Sequence, residues 1–128
     1  MTLAYLDASA FVKTIVVEPE SRRLVDWLRR WPDRASCAIL RTEAVRAVRP
    51  YGLDVVAATR EKFRGLTLVE VDETLLDVAA DLSPQVRSLD AIHLAAAQSL
   101  GPDLGVLVTY DIRMIRAAGE LSIETASP

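Results

Sequence analysis

Short apolar runs alternate with helix-forming stretches along the whole chain of 128 residues. The runs that predict strands lie at residues 3–6, 35–40, 66–71 and 106–109, and 121–123 is expected to add an edge strand. The segments between them predict helices over residues 8–17, 18–31, 41–48, 54–63, 73–82, 88–98 and 112–118. Such alternation is typical of a parallel sheet with helices on both faces. We therefore expect an α/β fold, with one domain over residues 1–128 and a mostly parallel sheet of four to five strands.

Composition narrows the class of protein. Hydrophobic residues make up 51% of the chain and charged residues 26%, which is typical of a globular domain. No apolar run approaches the ~18 residues that a membrane span needs, and Asp7 interrupts the first run before a signal peptide can form. The single cysteine, Cys37, lies in an apolar run, where a buried and inert thiol is expected. Together these features predict a cytoplasmic protein that does not enter a membrane.

Charge is distributed unevenly along the chain. A formal charge of −3 and a pI near 5.1 argue against a general electrostatic affinity for nucleic acid. The segment 41–64 nevertheless carries six basic residues against three acidic ones, whereas 70–81 carries five acids and no base. Arginine in the first segment suits phosphate binding, but the codon usage of a genome would explain it equally well.

Four carboxylates occupy positions that an α/β sheet brings to one edge. Asp7 and Asp111 each follow a predicted strand, and Asp90 lies in the first turn of the most apolar helix. Glu43 lies on a helix that follows another predicted strand. In open α/β sheets, ligands bind outside the carboxyl ends of the strands. Converging carboxylates repel one another, and Mg²⁺ or Mn²⁺ relieves that repulsion and can activate water for phosphodiester hydrolysis.

Each of these acids also has an ordinary structural explanation. Asp7, Asp90 and Asp111 suit the starts of helices, where a carboxylate accepts free backbone N–H groups. Glu43 can form an i,i+3 ion pair with Arg46. From the residues alone, the metal-site interpretation and the structural one are about evenly balanced for the set.

His93 stands three residues after Asp90 and is the only histidine. It could orient that carboxylate or contact a substrate, although a histidine packed within a helix is the commoner case. A single histidine also excludes the usual His-rich zinc sites. A receiver-like phospho-acceptor domain is an alternative of similar length. It needs an acidic doublet after its first strand and a lysine after its last, and the chain has neither.

Several short motifs carry a resemblance to a known family. They are Asp7-Ala8-Ser9-Ala10-Phe11-Val12-Lys13, Glu18-Pro19-Glu20-Ser21, Thr42-Glu43, Leu89-Asp90-Ala91-Ile92-His93-Leu94-Ala95 and Thr109-Tyr110-Asp111. The fourth of these is the most specific. Together they resemble the PIN domains of the VapC toxin type, over nearly the whole chain.

The resemblance implies an Mg²⁺- or Mn²⁺-dependent endoribonuclease that acts as the toxin of a type II toxin–antitoxin pair. It assigns the catalytic and metal-binding role to four acids: Asp7, Glu43, Asp90 and Asp111. Ser9 and Thr109 are the implied polar supports. One position departs from the family pattern, because Arg113 stands where many PIN domains carry a further acid. The resemblance therefore leaves open whether one metal ion binds or two.

The resemblance also implies partners. Family toxins cleave structured RNA such as tRNA or ribosomal RNA, and a cognate VapB-type antitoxin inserts a C-terminal segment into the site. PIN toxins are commonly homodimers, and the apolar helical surface around Val55 to Phe63 is a candidate interface. A PIN domain that binds its antitoxin without catalysing any reaction is the remaining alternative.

Overall fold

The computed structural model describes residues 2–128, which form a five-stranded parallel sheet. Its strands are β1 (Leu3–Leu6), β2 (Arg34–Cys37), β3 (Leu66–Val69), β4 (Leu104–Val108) and β5 (Thr125–Ala126). They lie in the order β3-β2-β1-β4-β5, and every neighbouring pair is parallel. The predicted α/β class and the predicted strand number are confirmed.

Helices connect the strands and cover both faces of the sheet. They are α1 (Ala8–Lys13), α2 (Ser21–Leu28), α3 (Leu40–Val48), α4 (Leu53–Lys62), α5 (Glu73–Ala80), α6 (Ser88–Ser99) and α7 (Ile112–Glu120). Single 3₁₀ turns follow at Arg49–Tyr51, Phe63–Gly65 and Gly101–Asp103. Within residues 2–128, no helix is both long enough and apolar enough to cross a membrane.

Two apolar cores lie on opposite faces of the sheet. Alternate residues of a strand point to opposite faces, so Ala4 and Leu6 of β1 pack on one side and Tyr5 on the other. Helices α1 to α4 supply the core around Leu6, and α5 to α7 supply the core around Tyr5. This arrangement confirms the expected helices on both faces.

Helix α2 is shorter than its apolar spacing predicts. It begins at Ser21 rather than Glu18, and it ends at Leu28 rather than Trp31. The Arg34 side chain donates hydrogen bonds to the carbonyls of Leu28 and Trp31, at 2.9 Å in both cases. These bonds satisfy carbonyls at and just after the end of the helix, where C=O groups have no partner within the helix.

The strand predicted over residues 35–40 is also shorter. It ends at Cys37, and residues 38 and 39 turn into α3, which begins at Leu40.

The edge strand predicted at residues 121–123 is wrong, since β5 lies at Thr125–Ala126. Gly119 predicts the end of the last helix, but α7 continues to Glu120. The chain then turns through Ser122, whose φ is 58°. The backbone N–H of Ser122 donates to Gly119 O, and that of Ile123 donates to Ala118 O. These two bonds form a Schellman motif with Ser122 in the left-handed conformation. The motif takes up residues 121–123, so the predicted strand does not form there.

The large side chains of the predicted apolar surface around Val55 to Phe63 are mostly buried. Val56 and Phe63 are 5% and 3% exposed and belong to the core beneath α4. The large apolar side chains that face solvent nearby are Leu53 and Tyr51, which are 81% and 60% exposed. Any interface on this side would therefore centre on the start of α4 rather than along it.

Candidate functional site

The central strands β1 and β4 bring Asp7 and Thr109, two residues of the predicted site, to the same edge of the sheet. Leu6 pairs with Val108, so the chain leaves both strands at the same edge of the sheet. The backbone N–H of Asp7 donates to Val108 O at 3.3 Å, which extends the pairing by one residue. Thr109, the residue after β4, is fully buried at this edge.

Asp7 caps helix α1 and is itself almost buried, with 4% of its surface exposed. Its Oδ1 atom accepts hydrogen bonds from the backbone N–H of Ala10 at 2.9 Å and from the Ser9 hydroxyl at 3.0 Å. Its Oδ2 atom accepts none from any residue between 2 and 128. The capping explanation is therefore correct, but it uses only one of the two oxygens.

Asp111 repeats this arrangement at the start of α7. Its Oδ1 atom accepts hydrogen bonds from the backbone N–H groups of Arg113 at 2.8 Å and Met114 at 3.4 Å. Its own N–H donates to the Thr109 hydroxyl oxygen at 3.2 Å. In the described part of the chain, nothing donates to Asp111 Oδ2. Ser9 and Thr109 thus each contact an acid of the predicted set.

Glu43 lies in the first turn of α3 and reaches across the sheet edge to α6. Its Oε1 atom is 2.6 Å from Nε2 of His93, and its side chain is 19% exposed. The i,i+3 ion pair with Arg46 is wrong, because no such contact occurs within residues 2–128. Glu43 Oε2 likewise accepts no hydrogen bond from that range.

Asp90 lies in the first turn of α6, where it caps nothing. No hydrogen bond from residues 2–128 reaches its carboxylate. Burial raises the pKa of Asp90 above its ordinary value, and the negative charges of Asp111, Asp7 and Glu43 raise it further, while His93 acts in the opposite direction. The four acids therefore lie close enough together for Asp90 to experience the charge of the other three.

His93 is a buried and fully bonded histidine, with 1% of its surface exposed. Its Nδ1 atom is 2.8 Å from the Tyr5 hydroxyl and 3.6 Å from the sulfur of Cys37, which is buried as expected. Burial lowers the pKa of His93, but hydrogen bonds to Cys37 and Glu43 outweigh it and raise the pKa to about 10. The packed histidine of the sequence interpretation is thus also a link between β1 and α3.

The acids do not form a closed cage. Among residues 2–128, no three carboxylate, imidazole or thiol side chains stand close enough together to constitute a metal-binding group. Mg²⁺ in proteins keeps several of its waters and is commonly held by only one or two carboxylates together with substrate phosphates. The donor chemistry at this edge is compatible with that mode of binding, since the free atoms are all carboxylate oxygens.

Comparison with known proteins agrees with this arrangement. The PIN domain model matches residues 4–120. The chain is 46% identical over 129 residues to Ribonuclease VapC46 of Mycobacterium tuberculosis (strain ATCC 25618 / H37Rv), which covers 100% of this chain and 99% of the relative. It is 41% identical over 134 residues to Ribonuclease VapC35 of Mycobacterium tuberculosis (strain CDC 1551 / Oshkosh), covering 98% and 97%.

A third relative, Ribonuclease VapC47 of the CDC 1551 / Oshkosh strain, is 36% identical over 132 residues, again covering 98% of this chain and 97% of the relative. The family match extends from β1 to the end of α7 and so includes all four acids. The chain therefore belongs to the PIN-domain family, within its VapC group.

Proposed function

We propose that this protein is a toxin endoribonuclease that hydrolyses RNA phosphodiester bonds with Mg²⁺ or Mn²⁺ at Asp7, Glu43, Asp90 and Asp111. The observation that carries the proposal is that three of these acids use only one carboxylate oxygen for hydrogen bonds within residues 2–128. Asp7, Asp111 and Glu43 are each held through one oxygen and keep the other free. Full-length relatives named ribonucleases support RNA as the substrate class.

The electrostatics of the site favour a bound cation. Asp90 carries a raised pKa because it is partly buried beside other carboxylates. A divalent cation would remove that penalty, and an all-oxygen donor set suits a hard ion such as Mg²⁺ or Mn²⁺. When bound, such an ion supplies Lewis-acid activation of water and stabilises the leaving oxygen of the phosphodiester.

The contribution of the chain itself is to hold the acids in fixed places. Asp7 and Asp111 are fixed by backbone N–H groups at helix starts, where the helix dipole also stabilises their negative charge. Ser9 restricts Asp7 further through its hydroxyl. Carboxylates that are fixed before the substrate arrives require little rearrangement in the transition state.

Arginines on the helix that carries Glu43 provide a means of holding RNA. Arg41 and Arg46 are exposed on α3, the helix that carries Glu43. We assign them to contacts with the phosphate backbone, which overcome the net negative charge of the chain locally. The acidic pI is then compatible with an RNA substrate.

The proposal includes partners and a location. Membership in the VapC group supports a cognate VapB-type antitoxin, which would cover the acids and block the substrate. A homodimer is proposed as well, with the exposed Leu53 and Tyr51 as its candidate contacts. We assign residues 1–128 to one PIN-like domain that acts in the cytoplasm, on RNA of the tRNA or ribosomal RNA class.

A cleavage assay with single-site variants tests the proposed activity. Purified wild type, Asp7→Asn and Asp90→Asn are incubated with total tRNA and ribosomal RNA in Mg²⁺, with and without EDTA. We expect the wild type to cleave only without chelator, and each variant to lose cleavage by at least about 100-fold.

Asp77→Asn is the matched control, because Asp77 is an exposed acid of α5, a helix that contributes none of the four acids. It should cleave like the wild type. Undiminished cleavage by Asp7→Asn and Asp90→Asn would contradict the site. A wild type that binds Mn²⁺ and antitoxin but cleaves none of these RNAs would favour the non-catalytic alternative.

A further inference from the structure

His93 is a buried polar residue that the proposed chemistry does not use directly. It connects Tyr5 on β1 with Glu43 on α3, at 2.8 Å and 2.6 Å respectively. Tyr5 and His93 also pack edge to face, with ring centroids 5.8 Å apart. A purely space-filling side chain would require neither hydrogen bond.

Glu43 differs from the two capping acids in how it is held. Asp7 and Asp111 accept hydrogen bonds from the backbone of their own helices. Glu43, in contrast, is held by a side chain fifty residues away in the sequence. It also has one more rotatable bond than an aspartate, so more conformational freedom must be removed to fix its carboxylate.

The identity of the hydrogen-bond donor is determined by chemistry. An ionised carboxylate only accepts hydrogen bonds, so Nε2 of His93 must carry the proton that faces Glu43. This holds whether the imidazole is neutral or charged. In the neutral ring, Nδ1 accepts from the Tyr5 hydroxyl, and in the charged ring Nδ1 donates to the same oxygen. Tyr5 therefore fixes the ring orientation in both states.

We propose that His93 is a positioning residue for Glu43, held in place by Tyr5. The Nε2–H group of His93 holds Oε1 of Glu43 and leaves Oε2 free for a cation. This inference rests on the proposed function, since it takes Glu43 as a metal ligand. It extends a general feature of metal sites, in which hydrogen bonds to a ligand fix its orientation and change affinity by roughly 10–100-fold.

Two measurements on five proteins test the positioning role. Wild type, His93→Ala, His93→Gln, His93→Asn and Tyr5→Phe are compared by Mn²⁺ titration calorimetry and by the kcat and KM of RNA cleavage. We expect His93→Ala to lose Mn²⁺ affinity and kcat by roughly 10–100-fold, with KM for RNA unchanged. The Mn²⁺ affinity and kcat of Tyr5→Phe should lie between those of His93→Ala and the wild type, because this variant loses only the hydrogen bond that supports the imidazole ring.

The two amide variants separate positioning from packing. The amide nitrogen of glutamine can occupy the place of Nε2 and donate to Glu43, whereas that of asparagine corresponds to Nδ1 and falls short. His93→Gln should therefore have an Mn²⁺ affinity and a kcat at least about tenfold higher than those of His93→Asn, although both variants keep a polar side chain in the core. Gln98→Ala, an exposed change on the same helix, should behave like the wild type. Thermal melts verify that each variant is folded.

Equal Mn²⁺ affinity in the wild type and His93→Gln, His93→Asn and Tyr5→Phe would overturn the positioning role. A change in the KM for RNA alone, with Mn²⁺ affinity and kcat unaffected, would also overturn the positioning role. Failure of the proposed function gives a different result, because Asp90→Asn would then bind Mn²⁺ and cleave RNA like the wild type. If His93→Ala does not fold, the comparison of His93→Gln with His93→Asn decides the matter.

Discussion

Nε2 of His93 lies 2.6 Å from Oε1 of Glu43, although fifty residues separate the two in the sequence. His93 belongs to α6, which covers one face of the sheet, and Glu43 belongs to α3, which covers the other. Their hydrogen bond lies at the carboxyl edge of the strands and connects the two helical layers. The acids at this edge are therefore positioned by both layers together.

Replacing Ser9 by alanine should impair catalysis without abolishing it. The substitution removes the hydroxyl that donates to Asp7 Oδ1 but leaves the backbone N–H of Ala10 in place. One neutral hydrogen bond contributes about 1 kcal/mol, which corresponds to a roughly fivefold loss in kcat/KM. Cleavage kinetics at saturating Mg²⁺ measure this loss, with Ser99→Ala as the control. A loss as large as that of Asp7→Asn would contradict a merely supporting role.

Asp90→Asn should stabilise the metal-free protein while it removes activity. Asp90 has a raised pKa because of burial and the charges of Asp111 and Asp7, so its ionised form is unfavourable in the folded state. Asparagine has no such charge, and we expect a gain of roughly 0.5–2 kcal/mol in the free energy of unfolding at pH 7. Thermal melts in EDTA measure it. A lower melting temperature for the variant at pH 7 would contradict the prediction.

The stabilisation by Asp90→Asn should depend on pH in a defined direction. Below the ordinary pKa of 3.8, Asp90 is protonated in both the folded and the unfolded chain, so the variant gains nothing. As the pH rises above 3.8, the unfolded chain releases the proton first, and the wild type loses stability relative to the variant. The difference then stays constant above the raised pKa. A difference that shrinks with rising pH would contradict this assignment.

Arg46→Ala should weaken RNA binding without affecting the chemical step. We expect KM to rise several-fold and kcat to stay constant. The slope of log KM against log salt should fall by about 0.7 for each RNA phosphate that the variant no longer neutralises. The control is Arg29→Ala, at the residue that directly follows α2, whose side chain is 78% exposed. Equal effects of the two substitutions would show that the arginines act through overall charge rather than at the site.

Gly105→Ala should destabilise the fold at a position remote from the acids. A Cβ atom there would lie 2.7 Å from Cη2 of Trp31 and 2.9 Å from Cβ of Thr2, which is closer than atoms can pack. An overpacked site costs about 1–3 kcal/mol. Gly65→Ala is the control, since nothing lies within 4 Å of its Cβ position. Urea unfolding followed by tryptophan fluorescence compares them, and equal midpoints would contradict the prediction.

The sequence predicts the sheet well because its strands are short apolar runs between clear helices. It fails at β5, where the turn depends on serine rather than glycine at the left-handed position. Ser122 takes a φ of 58° there, while Gly119 lies inside α7. Local residue preference favours the opposite assignment, and hydrogen bonds of the whole turn determine the outcome.

The four acids could be located from sequence because each follows a strand or starts a helix. The hydrogen bonds that hold each acid in place could not be predicted from the sequence. The link from Tyr5 through His93 to Glu43 joins residues that are 88 and 50 positions apart in the sequence, so no local spacing indicates it. The only available signal was the place of His93 one helical turn below Asp90, on the apolar side of α6. That position alone does not distinguish a packed histidine from a positioning one.

Mn²⁺ binding tests the central claim most directly, because it requires neither the RNA target nor the antitoxin. Wild type, Asp7→Asn, Asp90→Asn and Asp77→Asn are stripped of metal and titrated with Mn²⁺ by calorimetry. The account predicts saturable binding to the wild type and Asp77→Asn, and at least about tenfold weaker binding to the other two variants. Absence of binding to the wild type, or equal binding to all four proteins, would contradict it.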